Sequence, residues 1–218
     1  MSFRPRTVSL VMAGVVLAAS SAGAQQPANE APPRSQTQAD DYTRYELKDP
    51  GTGSFRILYE VSATTPGARY FWNPIRKSSV ASDESVTDPE SGRPLKFSEV
   101  AGAEAQAAGF AQADPETRYI QIELPRPVPK EGEIRLLIDK TYKDEKSYFV
   151  EEKTGLLVFS RSLGIKRNAV VLPTGYEVVA CNYPSQVVSE PPTDRIRLSF
   201  MNLGPDAVSY VVKARRVK

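Results

Sequence analysis

Apolar and polar residues alternate with a period of two along most of the chain, and that period confines it to sheet. Phe55, Ile57, Tyr59 and Val61 alternate with Ser54, Arg56, Leu58, Glu60 and Ser62, so one face enters a core and the other stays mostly polar. The same pattern recurs in Ile120, Ile122 and Leu124, in Ile134, Leu136 and Ile138, and in Ile196, Leu198 and Phe200. Turn residues separate these runs: Asp49-Pro50-Gly51, Thr65-Pro66-Gly67, Asp88-Pro89-Glu90-Ser91-Gly92, Lys130-Glu131-Gly132 and Gly204-Pro205-Asp206. Short strands at this spacing predict an all-β antiparallel β-sandwich, immunoglobulin-like or saddle-like. One alanine-rich segment, Gly102 to Phe110, interrupts the pattern and reads as a short helix.

The amino terminus has the form of an export signal. Arg4 and Arg6 precede an apolar stretch from Val8 to Ala19, and Ala22-Gly23-Ala24 supplies the small residues of a cleavage site before Gln25. Residues 1–24 are therefore expected to be a signal peptide, the alternative being a retained amino-terminal anchor, and the protein to be periplasmic or extracellular. No segment after residue 24 has the roughly 18 continuous apolar residues of a transmembrane helix. Residues 25–40 lack large apolar side chains and read as a disordered linker. Residues 41–218 then form one sandwich domain, the alternative being a subdivision near residues 125–130.

Charge and residue usage exclude several functions. Lys and Arg number 28 against 26 Asp and Glu, and loss of Arg4 and Arg6 with the signal leaves the mature chain formally neutral, so no nucleic-acid partner is expected. The basic tail Lys213, Arg215, Arg216 and Lys218 follows an alternating run and reads as a terminal strand with solvated charges, ahead of a polyanion site. The chain has no histidine, which removes the Ser-His-Asp, Cys-His and HExxH mechanisms and the common histidine metal sites. GxSxG, P-loop and SxxK motifs are absent as well. A carboxylate pair stays open, because the fold and not sequence spacing sets its distance. No catalytic residue, cofactor or metal site is expected, and the chain is expected not to be an enzyme.

Four features could carry a site. The single cysteine, Cys181, reads as a small packing residue on a central strand, since nothing nearby activates it and it has no partner for a bridge within the chain. Asp83, Glu84, Asp88 and Glu90 lack the spacing of a calcium loop and read as a solvated turn. KTYKDEKSY, residues 140–148, mixes both charges densely and reads as a solvated hairpin loop, with a docking surface as the alternative. Tyr70, Phe71 and Trp72 form the one dense aromatic cluster; buried they fill the core, exposed they stack on sugars, which makes Tyr70 and Trp72 the candidate ligand-binding residues.

Two longer segments carry a resemblance. YIQIELPRPVPKEGEIRLLIDKTYKD and TGLLVFSRSLGIKRNAVVLPTGYEV resemble the end of the bowl-shaped N-terminal β-domain of gluzincin aminopeptidases, and the chain also resembles secreted bacterial proteins made of one β-sandwich. In the peptidases a zinc-binding helix follows that domain, and no such helix is read before Lys218. The resemblance thus implies a fold and a non-catalytic role. The expected function is an exported protein that binds or scaffolds an envelope partner. The alternative is a carbohydrate-binding or glycan-processing protein using Tyr70, Trp72 and carboxylates.

Overall fold

A computed structural model describes Met1 and residues 35–217 of the chain. In chain order the strands are β1 (Gln38–Leu47), β2 (Ser54–Ala63), β3 (Tyr70–Ile75), β4 (Val80–Asp88), β5 (Arg93–Pro94) and β6 (Phe97–Ala101). After the helix α1 (Gly102–Ala107) follow β7 (Arg118–Glu123), β8 (Ile134–Lys143), β9 (Tyr148–Val150), β10 (Leu157–Leu163) and β11 (Arg167–Val171). The last four are β12 (Tyr176–Cys181), β13 (Gln186–Glu190), β14 (Arg195–Met201) and β15 (Val208–Arg216). They form three sheets: an eight-stranded one ordered β13-β14-β11-β1-β2-β8-β4-β5, a four-stranded one ordered β12-β15-β10-β9, and a three-stranded one ordered β3-β7-β6. The chain is all-β with one short helix, as its alternation predicts.

One buried cluster draws on all three sheets and does most to hold the fold. Phe55, Ile57, Tyr59 and Val61 of β2 and Leu136 and Ile138 of β8 face Phe71, Ile120 and Ile122 of the three-stranded sheet and Phe159, Tyr210 and Val212 of the four-stranded one. Burying each such side chain contributes about 1.5–3 kcal/mol. Aromatic edges meet faces at its centre, with the Phe55 and Phe159 ring centroids 5.5 Å apart and nearly perpendicular. The described residues from 35 onward belong to a single compact unit, with no division near residues 125–130. Among the described residues, no helix is long and apolar enough to cross a membrane.

Local chemistry sets the corners. The β1–β2 turn is closed by the Asp49 carboxylate, which accepts the Gly51 amide at 2.9 Å, and by Gly53, whose φ of 58° is left-handed. At α1 the constraint is contact instead. A Cβ on Gly102 would lie 1.9 Å from the carbonyl oxygen of Asp114. Gly102→Ala is therefore expected to lower the unfolding free energy by about 1–3 kcal/mol, because backbone rather than a flexible side chain would have to move. A urea titration checks this, and an unchanged midpoint contradicts the close approach.

The signal peptide and residues 25–34 of the expected linker lie outside the described residues. The rest of that linker is built into the sheet. Gln38 to Asp40 open β1, the Thr37 amide donates to the Thr65 hydroxyl at 2.7 Å, and the Gln36 side chain brackets the Trp72 backbone, donating to its carbonyl at 3.1 Å and accepting its amide at 2.8 Å. Polar side chains and backbone pairing order this stretch without an apolar anchor.

Three further local expectations change. KTYKDEKSY is not a solvated loop: β8 continues through Lys143, and Lys140, Thr141, Tyr142, Asp144, Ser147 and Tyr148 are all buried. Cys181 lies not on a central strand but on β12, an edge of the four-stranded sheet, where a register shift between Val178 and Ala180 disturbs the alternation. Its thiol is half-buried and donates to the Tyr183 carbonyl at 3.1 Å. Finally, β1 and β11 pair in parallel inside an otherwise antiparallel sheet. The basic tail is the expected terminal strand, with Tyr210, Val212 and Ala214 buried and Arg215 and Arg216 exposed. The Asp88 carboxylate caps its own turn, accepting from the Glu90 amide at 2.9 Å and the Ser91 hydroxyl at 2.7 Å, and the Ser91 bond is the main cause of its lowered pKa.

Candidate functional site

Adjacent strands of the large sheet lay the floor of a cavity of about 380 Å³. In the β1–β2–β8 register, Thr43 stands beside Tyr59, and in the next row Tyr45, Ile57 and Lys140 stand side by side. Because side chains on a strand alternate, these residues share one face with the core positions Ile134, Leu136 and Ile138. Trp72, Asn73 and Pro74 of β3 and Tyr119 of β7 form a second wall, Phe110 follows α1, and Arg161 of β10 with Ile165 adds a further side, the cavity staying open to solvent.

Lys140 is the focal group. It is 4% exposed and donates to the Asn73 side-chain oxygen. Its nitrogen also sits 5.0 Å from the centroid of the Tyr142 ring. Among the described residues, no carboxylate pairs with it within 4 Å. Burial pushes its pKa down from 10.5 to about 7, and the charge of Arg161 pushes the same way, against a weaker opposing pull from Glu84. The group is therefore close to half-protonated at neutral pH.

Arg161 is held from behind. Its guanidinium donates to Asp144 at 3.0 Å, the two side chains being 5% and 2% exposed, and it lies over the rings of Phe55 and Tyr142. Asp144 in turn accepts from the Ser147 hydroxyl at 2.7 Å and the Ser79 hydroxyl at 3.2 Å. Burial alone would raise its pKa, but the Ser147 bond and the Arg161 charge outweigh it and hold the carboxyl below its ordinary value. Burial raises the phenol pKa values of Tyr45, Tyr59 and Tyr142, so these hydroxyls stay neutral. Among the described residues, the buried Thr43 hydroxyl has no hydrogen-bond partner.

The structure keeps the two candidate binding residues read from the sequence together, their ring centroids 6.1 Å apart, but only Trp72 reaches the larger cavity. Trp72 is 6% exposed, stacked on Phe110 at 5.6 Å, and its edge lines the cavity. Tyr70, 42% exposed, lies outside it, beside a smaller hollow of about 160 Å³. Sequence reasoning missed Lys140, Asn73, Arg161 and Thr43. A signal for Lys140 was present, since Ile134, Leu136, Ile138, Lys140 and Tyr142 share one parity; Arg161 lies on β10, where no alternation was read. A larger open groove of about 570 Å³ elsewhere is lined by Arg44, Glu46, Glu190, Arg195 and Arg197. Its charges are already matched: Arg44 to Glu190 at 2.6 Å, Arg197 to Glu190 at 3.1 Å and Arg44 to Glu46 at 2.7 Å.

No protein-family model matches the sequence, and no curated protein matches it. Among solved structures the chain is similar to an M1 zinc metallopeptidase from Deinococcus radiodurans, with a TM-score of 0.51 and 10% identity over 83% of this chain and 42% of that one. It is also similar to an aminopeptidase N family protein from Idiomarina loihiensis, with a TM-score of 0.47 and 11% identity over 80% of this chain and 29% of that one. This chain thus spans less than half the length of either protein. At such identity the likeness is one of fold, and it agrees with the resemblance of the two quoted segments to the N-terminal β-domain of gluzincin aminopeptidases.

Proposed function

We propose that this chain is an exported, non-catalytic binding protein whose ligand occupies the cavity between β1, β2, β8 and β3. The observation that carries this reading is the aromatic-walled cavity, open to solvent on one side. Its volume of about 380 Å³ lies in the range of small-molecule sites, and polar groups converge on it from three sheets. The described residues lining it include three tyrosines from the large sheet but no carboxylate to act as nucleophile or general base, which supports binding over glycoside chemistry. Export rests on the signal-like residues 1–24 and puts the encounter with ligand or partner in the envelope. The glycan reading is weaker, because a sugar stacks on an open ring face and the indole of Trp72 is buried against Phe110.

Saturation-transfer NMR with a mixture of aromatic fragments tests the site. Fragments are expected to receive saturation from the wild type and to lose it with Ile165→Trp, which narrows the cavity from a half-buried position. Equal transfer in both proteins, or transfer in neither, overturns the cavity as the binding site.

A further inference from the structure

Charge in the cavity is one-sided. Lys140, Arg161 and Arg76 line it, and among the described residues no Asp or Glu does. Arg161 has a counter-ion in Asp144, but through one guanidinium nitrogen, Nη1, only. A lysine ammonium has three protons to donate, and among the described residues Lys140 has one acceptor, Asn73. Thr43, on the same face, has a sealed hydroxyl with no hydrogen-bond partner among the described residues. Unused donors on buried side chains cost free energy unless something accepts from them. Ile57 beside Lys140 on the floor, and Trp72, Pro74, Phe110 and Ile165 on the walls, offer apolar surface.

On the reading that this cavity binds a ligand, we propose that the ligand is an organic carboxylate with a compact apolar or aromatic body, its anionic head on Lys140 beside Arg161 and its body against Trp72 and Phe110. A carboxylate supplies about four acceptor positions and suits this donor set. A neutral ligand would leave the ammonium without a counter-charge, and a cation would add repulsion to it. The titratable and charged groups facing Lys140 are Tyr45 from β1, Tyr59 from β2, Arg76 beyond β3, Glu84 from β4, Tyr142 from β8 and Arg161 from β10. Burial keeps the Tyr45, Tyr59 and Tyr142 phenols neutral, while the Lys140 amine, its pKa pushed down to about 7, takes up a proton as an anion enters.

Three matched probes test the assignment: phenylbutyrate, its amide phenylbutyramide, and the amine phenylbutylamine. Calorimetry reads affinity, and the emission of Trp72, the only tryptophan of the chain, reports entry into the cavity. The acid is expected to bind roughly tenfold or more tighter than the amide, and the amine not to bind. Affinity for the acid should rise as pH falls from about 8 to about 6, because the bound anion holds the Lys140 proton. Lys140→Met should abolish the preference for acid over amide while the amide still binds. Equal binding of acid and amide by the wild type overturns the carboxylate assignment and leaves the cavity a ligand site. Binding of none of the three, with Trp72 emission unchanged, overturns the assignment and the binding reading together.

Discussion

Replacing Lys140 by methionine is expected to stabilise the protein by about 2 kcal/mol near pH 6 and to confer no advantage near pH 9. Folding moves the ammonium from water into a site where its pKa is about 7 instead of 10.5. Below about pH 7 the group is protonated in both states, so the native state carries the whole cost of burying a cation. As pH rises from about 7 toward 10.5 the native state releases this proton while the unfolded chain keeps it. The unfolded state then binds more protons, and stability rises with pH. Between about pH 6 and pH 9 that gain amounts to about 2–3 kcal/mol in the wild type and is absent from the variant, which keeps the shape of the side chain without its charge. Urea denaturation at a series of pH values reads the difference directly. Parallel stability profiles for the two proteins would show that Lys140 is not depressed. A side chain that weakens the fold is what the proposal of a cavity kept for binding rather than for stability requires.

Most of the strands were legible because one face of each meets water. In β2, Phe55, Ile57, Tyr59 and Val61 are buried while Arg56 and Glu60 are exposed, so the alternation survives in the sequence. Position 140 was misread for the opposite reason: the inward residue is a lysine, and a charge at a core position looks like a break in the strand. Residues 36–40 were misread because Gln36 and Gln38 are fixed by hydrogen bonds, to the Trp72 backbone and to the Tyr59 hydroxyl, and polar anchoring leaves no hydrophobic pattern. The register shift in β12 misplaced Cys181, and the parallel pairing of β1 with β11 joins segments too far apart for local chemistry to encode. The cavity combines these cases. Its floor could be anticipated strand by strand, and parity marks position 140 as inward, but the chemistry also comes from Asn73, Arg161 and Thr43, which no alternation read in the sequence singles out.

Asp144→Ala is expected to cost about 3–5 kcal/mol of unfolding free energy, more than any other substitution considered. The carboxylate is the only acid within 4 Å of Arg161 among the described residues, and both side chains are almost fully enclosed. Removing it leaves a guanidinium in a low-dielectric site with its charge uncompensated. It also removes the acceptor for the Ser147 and Ser79 hydroxyls, whereas backbone bonds such as Asp144 amide to Gly53 carbonyl at 2.9 Å are kept. Asp144→Asn, which retains the shape and one acceptor oxygen, should lose less, and the gap between the two variants separates lost hydrogen bonding from lost charge. The pH dependence runs opposite to that of Lys140. The folded pKa of Asp144 lies below the ordinary 3.8, so its contribution is fully present above that value and fades as pH falls through the folded one. Combining Asp144→Ala with Arg161→Met should recover part of the loss, since an absent pair costs less than half of one. Additive losses in that double variant would mean that the two charges do not depend on each other, and a loss under about 1 kcal/mol in Asp144→Ala alone would mean that water reaches Arg161.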